Sequence, residues 1–326
     1  MGYIVKEAIL KEEKFLVGEF LKKFALEYEE NINITLYIEK DNEIVGTISV
    51  ADYIIKCLAV DKDYQGENLV NLLISHLFSI LVKQNIVYYQ VYTKPENKKI
   101  FLDLNFAEII TVGNTCLLET KNFPISDELY KLKEKYHLTS LDNGAIVVNA
   151  NPFTLGHLYL IEEAAKRHSQ LLVFVLEEDR SYFSFSERML LVKQGTAHLK
   201  NVLVIPSTKY IISSLTFPTY FLKKDVDKVT EQALVDAKIF ATYFMPILNI
   251  SNRYVGDETD KVTAKYNLAL QEILGQRLCQ IKRKEIDQVA ISASLVRKYY
   301  QDQDFKKIAP LVPPTTLAYL KERAHE

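Results

Sequence analysis

At 326 residues the chain is longer than one ordinary hydrophobic core supports, and two domains are expected. Its residues are 48% apolar and 25% charged, as in soluble globular proteins, and a net charge of -2 gives no reason to expect nucleic acid as a partner. No apolar run approaches membrane-spanning length and the opening MGYIVKEAILKEEKF mixes charge into every turn, so neither membrane, signal peptide nor transit peptide is expected, and the cytoplasm is the natural compartment.

Residues 7–24 read as an amphipathic helix, with Phe15, Leu16, Phe20 and Phe24 among its apolar positions. Strands at 34–38 and 44–50 flank Asp41-Asn42 as a hairpin, and a third at 53–60 ends in the polar turn DKDYQGEN. Leu69, Leu72, Leu73, Leu77 and Leu81 mark a helix, followed by a strand at 86–92, a short helix at 96–104 and two strand-like runs within 106–118. This order resembles the GNAT acetyltransferase fold, so residues 1–122 are expected to form a GNAT-like α+β domain. Enzymes of that fold cradle the pyrophosphate of acetyl-CoA in a loop of the form Q/R-x-x-G-x-G/A. The matching segment here is Gln65-Gly66-Glu67-Asn68-Leu69-Val70, with Asn68 and Val70 in place of both later small residues. A retained fold with a docking or weakened cofactor role is the expectation. Cys57, Cys116 and Cys279 lie in strand-like apolar surroundings without CxxC spacing, the pattern of buried reduced thiols.

Residues 123–143 read as a connector, with Pro124, a charged amphipathic helix capped by Ser126 or Asp127, and the polar stretch LTSLDNG. The second domain, 144–326, opens with GAIVVNANPFTLGHLYLIEEAAKRHSQLLVFVLEEDR, which packs a strand, a polar turn, a helix and a second strand into one βαβ unit. Residues 145–148 are apolar throughout, as in buried parallel strands, and Asn149-Ala150-Asn151-Pro152 ends the run. Thr154 caps the helix. Gly156 and His157 then fall in its first turn, where unpaired backbone N–H groups and the positive end of the dipole favour an anion.

Thr154-Leu155-Gly156-His157 resembles the TxGH signature with which the nucleotidyltransferase superfamily binds nucleotide triphosphates. Gly156 admits a phosphate close to the backbone, and the His157 imidazole can donate to charge building on the α- and β-phosphate oxygens as pyrophosphate leaves. Further on, Ser186 is placed as the cap of a helix bearing Arg188 in its first turn, and residues 202–205 form a third buried strand. After that strand Ser207, Thr208, Lys209, Ser213, Ser214, Thr216, Lys223 and Lys224 offer a polar wall over a triphosphate, or a solvated loop, the better reading for Lys224. Asp227 caps a helix reaching about Phe244; a strand at 247–250, a turn of ionisable groups, a helix at 262–274 and a strand at 278–282 follow. Alternating strand and helix fits a doubly wound parallel sheet, a Rossmann-like domain of HIGH type.

Ile291-Ser292-Ala293-Ser294-Leu295-Val296-Arg297 resembles the second signature of that superfamily, ISSTxxR, with departures at Ala293 and Ser294. Ser292 or Ser294 at a helix start can bond phosphate, and Arg297 can reach the β- and γ-phosphates. A GNAT-like domain joined to a TxGH domain is the arrangement of the citrate lyase ligases. The chain resembles them over nearly its whole length, through NANPFTLGHLYLIEEAA, KQGTAHLKNVLVIPS, TFPTYFLK, RYVGDE, VTAKYN and KRKEIDQVAISASLVR.

The resemblance implies an enzyme that activates acetate with ATP to acetyl-AMP, releasing pyrophosphate. The acetyl group then passes to the CoA-derived thiol on the acyl carrier subunit of citrate lyase. It implies Thr154, Gly156 and His157 at the α- and β-phosphates, and Ser292, Ser294 and Arg297 at the pyrophosphate end, with catalysis on His157, Thr154 and Arg297. Asn149, Asn151, Phe153 and Ile291 are expected in the same pocket, and Arg188 and Lys209 as second-rank phosphate ligands. Asp257 and Glu258 are candidates to orient adenosine or acetate. A magnesium ion is expected with the nucleotide, and no protein metal site. Two alternatives stand beside this reading: another adenylyltransferase that forms a stable dinucleotide or CoA-precursor adduct, and an N-terminal domain that docks the carrier without transferase activity.

Overall fold

The computed structural model describes residues 3–178, 181–213, 216–223, 225–257, 261–282, 285–286 and 289–324. The chain forms two compact units that are not consecutive in sequence: Met1–Asp127 with Pro218–Glu231, and Glu128–Phe217 with Gln232–Glu326. The 218–231 segment, expected in the second domain, therefore returns to the first unit.

In the first unit the chain runs β1 (Val5–Glu7), α1 (Lys11–Lys22), β2 (Ile34–Lys40), β3 (Glu43–Ala51), β4 (Ile54–Val60), α2 (Leu69–Lys83), β5 (Gln90–Thr93), α3 (Lys98–Leu102), β6 (Phe106–Val112) and β7 (Thr115–Thr120). The sheet order is β1-β2-β3-β4-β5-β7-β6. It is antiparallel except between β4 and β5, the GNAT-like α+β arrangement. That parallel pair joins only Ile54 to Gln90 and Ile55 to Val91 before the strands part. Leu69, Leu73, Leu77 and Leu81 of α2 recur at helical spacing and are buried on the sheet. In α1 the buried face is Val17, Phe20 and Leu21, whereas Phe15 and Leu16 are exposed. Residues 17, 20, 21 and 24 keep the i, i+3, i+4, i+7 stripe, and 15 and 16 fall off it.

The chain continues through α4 (Ile125–Lys135) into β8 (Asn143–Val148), α5 (Leu155–Ala165), β9 (Gln170–Val175), α6 (Phe185–Thr196), β10 (Val202–Pro206), α7 (Lys228–Ile239) and a π-helical turn at Phe240–Phe244. After α8 (Met245–Ile247) come β11 (Ile250–Gly256), α9 (Lys261–Leu274), β12 (Leu278–Ile281), the two-residue strands β13 (Glu285–Ile286) and β14 (Val289–Ala290), α10 (Ala293–Gln301), α11 (Phe305–Ile308) and α12 (Pro314–Arg323). The second unit's five-stranded sheet has the order β10-β9-β8-β11-β12, parallel throughout. This is a doubly wound sheet whose strand order reverses between β8 and β11, the place where such sheets open a crevice at their carboxyl ends.

Two local expectations change. The cap of α6 is Ser184, whose hydroxyl accepts from Glu187 N–H while the Glu187 carboxylate accepts from Ser184 N–H, a capping box that outcompetes Ser186. The strand expected at 247–250 lies at Ile250–Gly256, because residues 245–247 are helical. Arg253 makes β11 look like a polar turn, yet it is buried against Asp236 at 2.8 Å.

Candidate functional site

A cleft of about 370 Å³ opens at the carboxyl ends of β8, β11 and β12, as the reversal of strand order requires. Asn149, Thr154, Gly156 and His157 line one side of it, and Ile291, Ser292 and Ser294 the other. The two signature stretches, far apart in sequence, thus share one hollow.

The first side is a capping box in which histidine takes the usual place of glutamate. Thr154 Oγ1 accepts from His157 N–H, while His157 Nδ1 accepts from Thr154 N–H at 3.1 Å and lies 2.9 Å from the Thr154 hydroxyl. A ring nitrogen that accepts a backbone N–H carries no proton, so the neutral imidazole is protonated at Nε2. The Phe153 ring stacks on the imidazole, with centroids 5.9 Å apart. Phe153 was expected against the ligand. Instead its side chain is wholly buried beneath the turn, in a space that exists because Gly195 of α6 has no Cβ: one placed there would meet the ring at 2.4 Å.

Gly156 has a role that its place in the motif did not reveal. A Cβ at this position would lie 3.3 Å from the Ile291 carbonyl oxygen and 3.5 Å from the Ile291 Cβ, so the glycine lets the second stretch pack on the first turn of α5. On that second side Ser292 caps α10, its hydroxyl accepting from Leu295 N–H at 3.1 Å. Arg297 ties the sides together, donating to the Asn151 carbonyl and, at 3.0 Å, to the Ser294 hydroxyl. Burial lowers the Arg297 pKa from the ordinary arginine value. Asn151 is buried, its side-chain oxygen accepting from Phe183 N–H at 3.1 Å, so its contribution is to shape the turn.

Three expected phosphate ligands do not line the cleft: Arg297, bound to the Asn151 carbonyl and the Ser294 hydroxyl, and with it Arg188 and Lys209. Arg188 is fully buried, and its guanidinium is engaged by main-chain carbonyls and by Asn149. Lys209 pairs with Glu128 and lies 5.2 Å from the Tyr210 ring centre. Nor does the described part of the expected polar wall reach it: Ser207 is buried with its hydroxyl accepting from Glu177 N–H, and Ser213 bonds Thr216. Ser214, Lys224 and Glu258 lie outside the described residues.

The walls also include Tyr254, Gly256, Tyr266 and Asn267, which motif reading passed over although they fall in the quoted RYVGDE and VTAKYN stretches. Asn267 donates to the Gly256 carbonyl at 3.1 Å. The Tyr266 hydroxyl donates to Asp236 at 2.7 Å, and burial, reinforced by that carboxylate, holds its pKa far above the usual phenol range. Burial opposes the charge on Arg253, but Asp236 and Tyr266 outweigh it and raise its pKa. Among the described residues no group of three or more His, Cys, Asp or Glu side chains is placed to hold a metal ion, and no helix is long and apolar enough to cross a membrane.

A family model described as the citrate lyase ligase C-terminal domain matches residues 143–320. The [citrate [pro-3S]-lyase] ligase of Escherichia coli is 33% identical over 315 residues, covering 94% of this chain and 89% of that protein. The chain belongs to the citrate lyase ligase family. The Haemophilus influenzae protein of the same name is 34% identical over 330 residues, covering 97% of this ligase and 98% of its relative. A phosphopantetheine adenylyltransferase from Clostridium botulinum is 26% identical over 150 residues, covering 42% of this chain and 94% of that one. It accords with the nucleotidyltransferase fold of the second unit. Among solved structures, a GNAT-family acetyltransferase from Staphylococcus aureus is 15% identical and covers 36% of this chain and 98% of its own, with a TM-score of 0.32.

Proposed function

We propose that this ligase forms acetyl-AMP in the cleft at the ends of β8 and β11. An acetate oxygen attacks the α-phosphorus of ATP and pyrophosphate leaves. The thiol of the CoA-derived group on the citrate lyase acyl carrier then attacks the acetyl carbonyl, AMP leaves, and the thiol proton passes to solvent. In-line displacement at phosphorus asks mainly for positioning and charge stabilisation, which helix starts and fixed donors supply.

The observation that carries this reading is the convergence of two capped helix starts on one hollow, with Gly156 against Ile291 and Arg297 bound to Asn151. We assign Thr154, Gly156 and His157 Nε2 to the α- and β-phosphates, and Ser292, Ser294 and Arg297 to the departing pyrophosphate. The described lining offers hydroxyls, amides, a histidine and the Lys282 ammonium but no carboxylate, so a magnesium ion would be held by phosphate oxygens and water. The cytoplasm is the compartment we assign.

The carrier's prosthetic arm is assigned to the first unit, whose cavity of about 570 Å³ opens where β4 and β5 part. Its walls join apolar side chains such as Leu58, Val91 and Phe101 to Lys94, Asn97 and the start of α2, which suits an extended arm with an anionic end. The Tyr220 hydroxyl closes the strand gap, donating to the Tyr92 carbonyl at 2.7 Å.

Acetate-dependent exchange of labelled pyrophosphate into ATP is the deciding measurement. Exchange is expected with the purified protein alone. Exchange without acetate, or none at all, overturns the reading.

A further inference from the structure

We propose that Arg188 is a positioning residue for the nucleotide cleft, fixing Asn149 and turning the carbonyl end of β8 away from the phosphates; the inference rests on the cleft's reading as the ATP site. Parallel strands end in carbonyls that have left the ladder, and those at the end of β8 lie at the cleft's edge, where Asn149 lines it. Their polarity repels a triphosphate. Arg188 sits in the first turn of α6 with no exposed surface, where an unpaired guanidinium would be strongly destabilising.

Its partners include the carbonyls that follow β8 and β9. Nη1 donates to the carbonyls of Asn149 at 3.0 Å and Leu176 at 2.9 Å, Nη2 to the carbonyl of Glu178, and Nε to that of Phe183 at 3.0 Å. The Glu178 carboxylate stands 3.6 Å away as counter-charge. Nη1 also donates to Asn149 Oδ1 at 2.8 Å, which leaves the Asn149 amide nitrogen to donate to Ser181 Oγ at 3.1 Å. One buried cation therefore fixes both the backbone and the side chain of Asn149, the last cleft-lining residue before the Thr154 cap. A carbonyl bound to Arg188 is not directed at an anion. Arg188 acts on the phosphates by removing what opposes them, not by touching them.

The test compares full-length wild type, Arg188→Lys, Arg188→Met and Ser181→Ala, using calorimetric ATP affinity and the KM values for ATP and acetate in exchange, at a temperature where circular dichroism shows each protein folded. Both Arg188 variants are expected to weaken ATP binding by about tenfold to a hundredfold, as misplacement of a binding turn does, with the KM for acetate within about twofold. General loosening of the fold would move both KM values together, and that result overturns the proposal, as does unchanged ATP affinity in folded Arg188→Lys. Ser181→Ala removes the other side-chain partner of Asn149 and leaves Arg188, so ATP affinity within about twofold is expected. A larger loss there assigns Asn149 to Ser181 and overturns the proposal even if neither Arg188 variant folds. Wild type that binds no ATP sinks the cleft's reading and this inference together; wild-type affinity matched by Arg188→Lys sinks the inference alone.

Discussion

Helix α2 of the first unit and helix α5 of the second both begin beside a hollow, and their first turns are built differently. Asn68 opens α2 in the left-handed region at φ +61 without capping it through its side chain, and its amide bonds Asn71 instead. Thr154 opens α5 from an extended conformation and exchanges bonds with His157. The hollow beside α2 is larger, about 570 against 370 Å³, and its volume comes from two strands that part. The hollow beside α5 is smaller and gathers two fixed helix starts. Volume follows topology, while chemistry follows the side chains that a cap holds still.

The comparison breaks most clearly at His157. His157→Ala should lose on the order of 2–4 kcal/mol of transition-state stabilisation, read as a collapse of kcat in acetate-dependent exchange with the fold intact. Near-normal exchange would mean the capping histidine does no more than its counterpart at α2. Gly156→Ala is next. The new Cβ would press on Ile291 at 3.3–3.5 Å, so a stability loss of about 1–3 kcal/mol and a raised KM for ATP are expected in urea titrations and exchange kinetics.

In the first unit, Lys94→Glu at the cavity should raise the KM for the acyl carrier by about tenfold, or about 1.4 kcal/mol, and leave pyrophosphate exchange unchanged. Equal loss in both assays would remove the division of labour between the hollows. Asn68→Gly should raise stability by about a few tenths of a kcal/mol, read as a small rise in the urea midpoint, since glycine adopts the left-handed conformation at no steric cost.

The last prediction concerns the strand beside that cavity. Burial pushes the Cys57 thiol up to about 12, so the folded state favours the neutral form. Its contribution to stability is complete below the unfolded thiol's pKa of about 8.5 and is lost as pH rises from there toward 12. The wild-type urea midpoint should fall more steeply than that of Cys57→Ala over this range.

How far each site was legible follows from where its information lies. Thr154 and His157 were readable because a cap is settled within four residues, and the apolar runs of β8 and β9 because a strand buried on both faces has no polar residue to alternate with. The departures at Asn68 and Val70 were visible too. That the cavity survives them was not, since it depends on asparagine tolerating a left-handed φ. Arg188 and Arg253 look like surface or ligand-binding arginines until the carbonyls and the carboxylate they meet are known.

Taken alone, the order of residues determined the two kinds of domain, the two helix starts and the signatures they carry, because propensity, periodicity and capping act between near neighbours. Only the tertiary structure decided that Gly156 serves Ile291, that Phe153 and Arg188 lie beneath the site instead of in it, and that residues 218–231 complete the first unit. Those outcomes turn on which groups from distant parts of the chain meet in the interior, where a charge or ring must find its partner or fill its space, and local pattern carries no record of that.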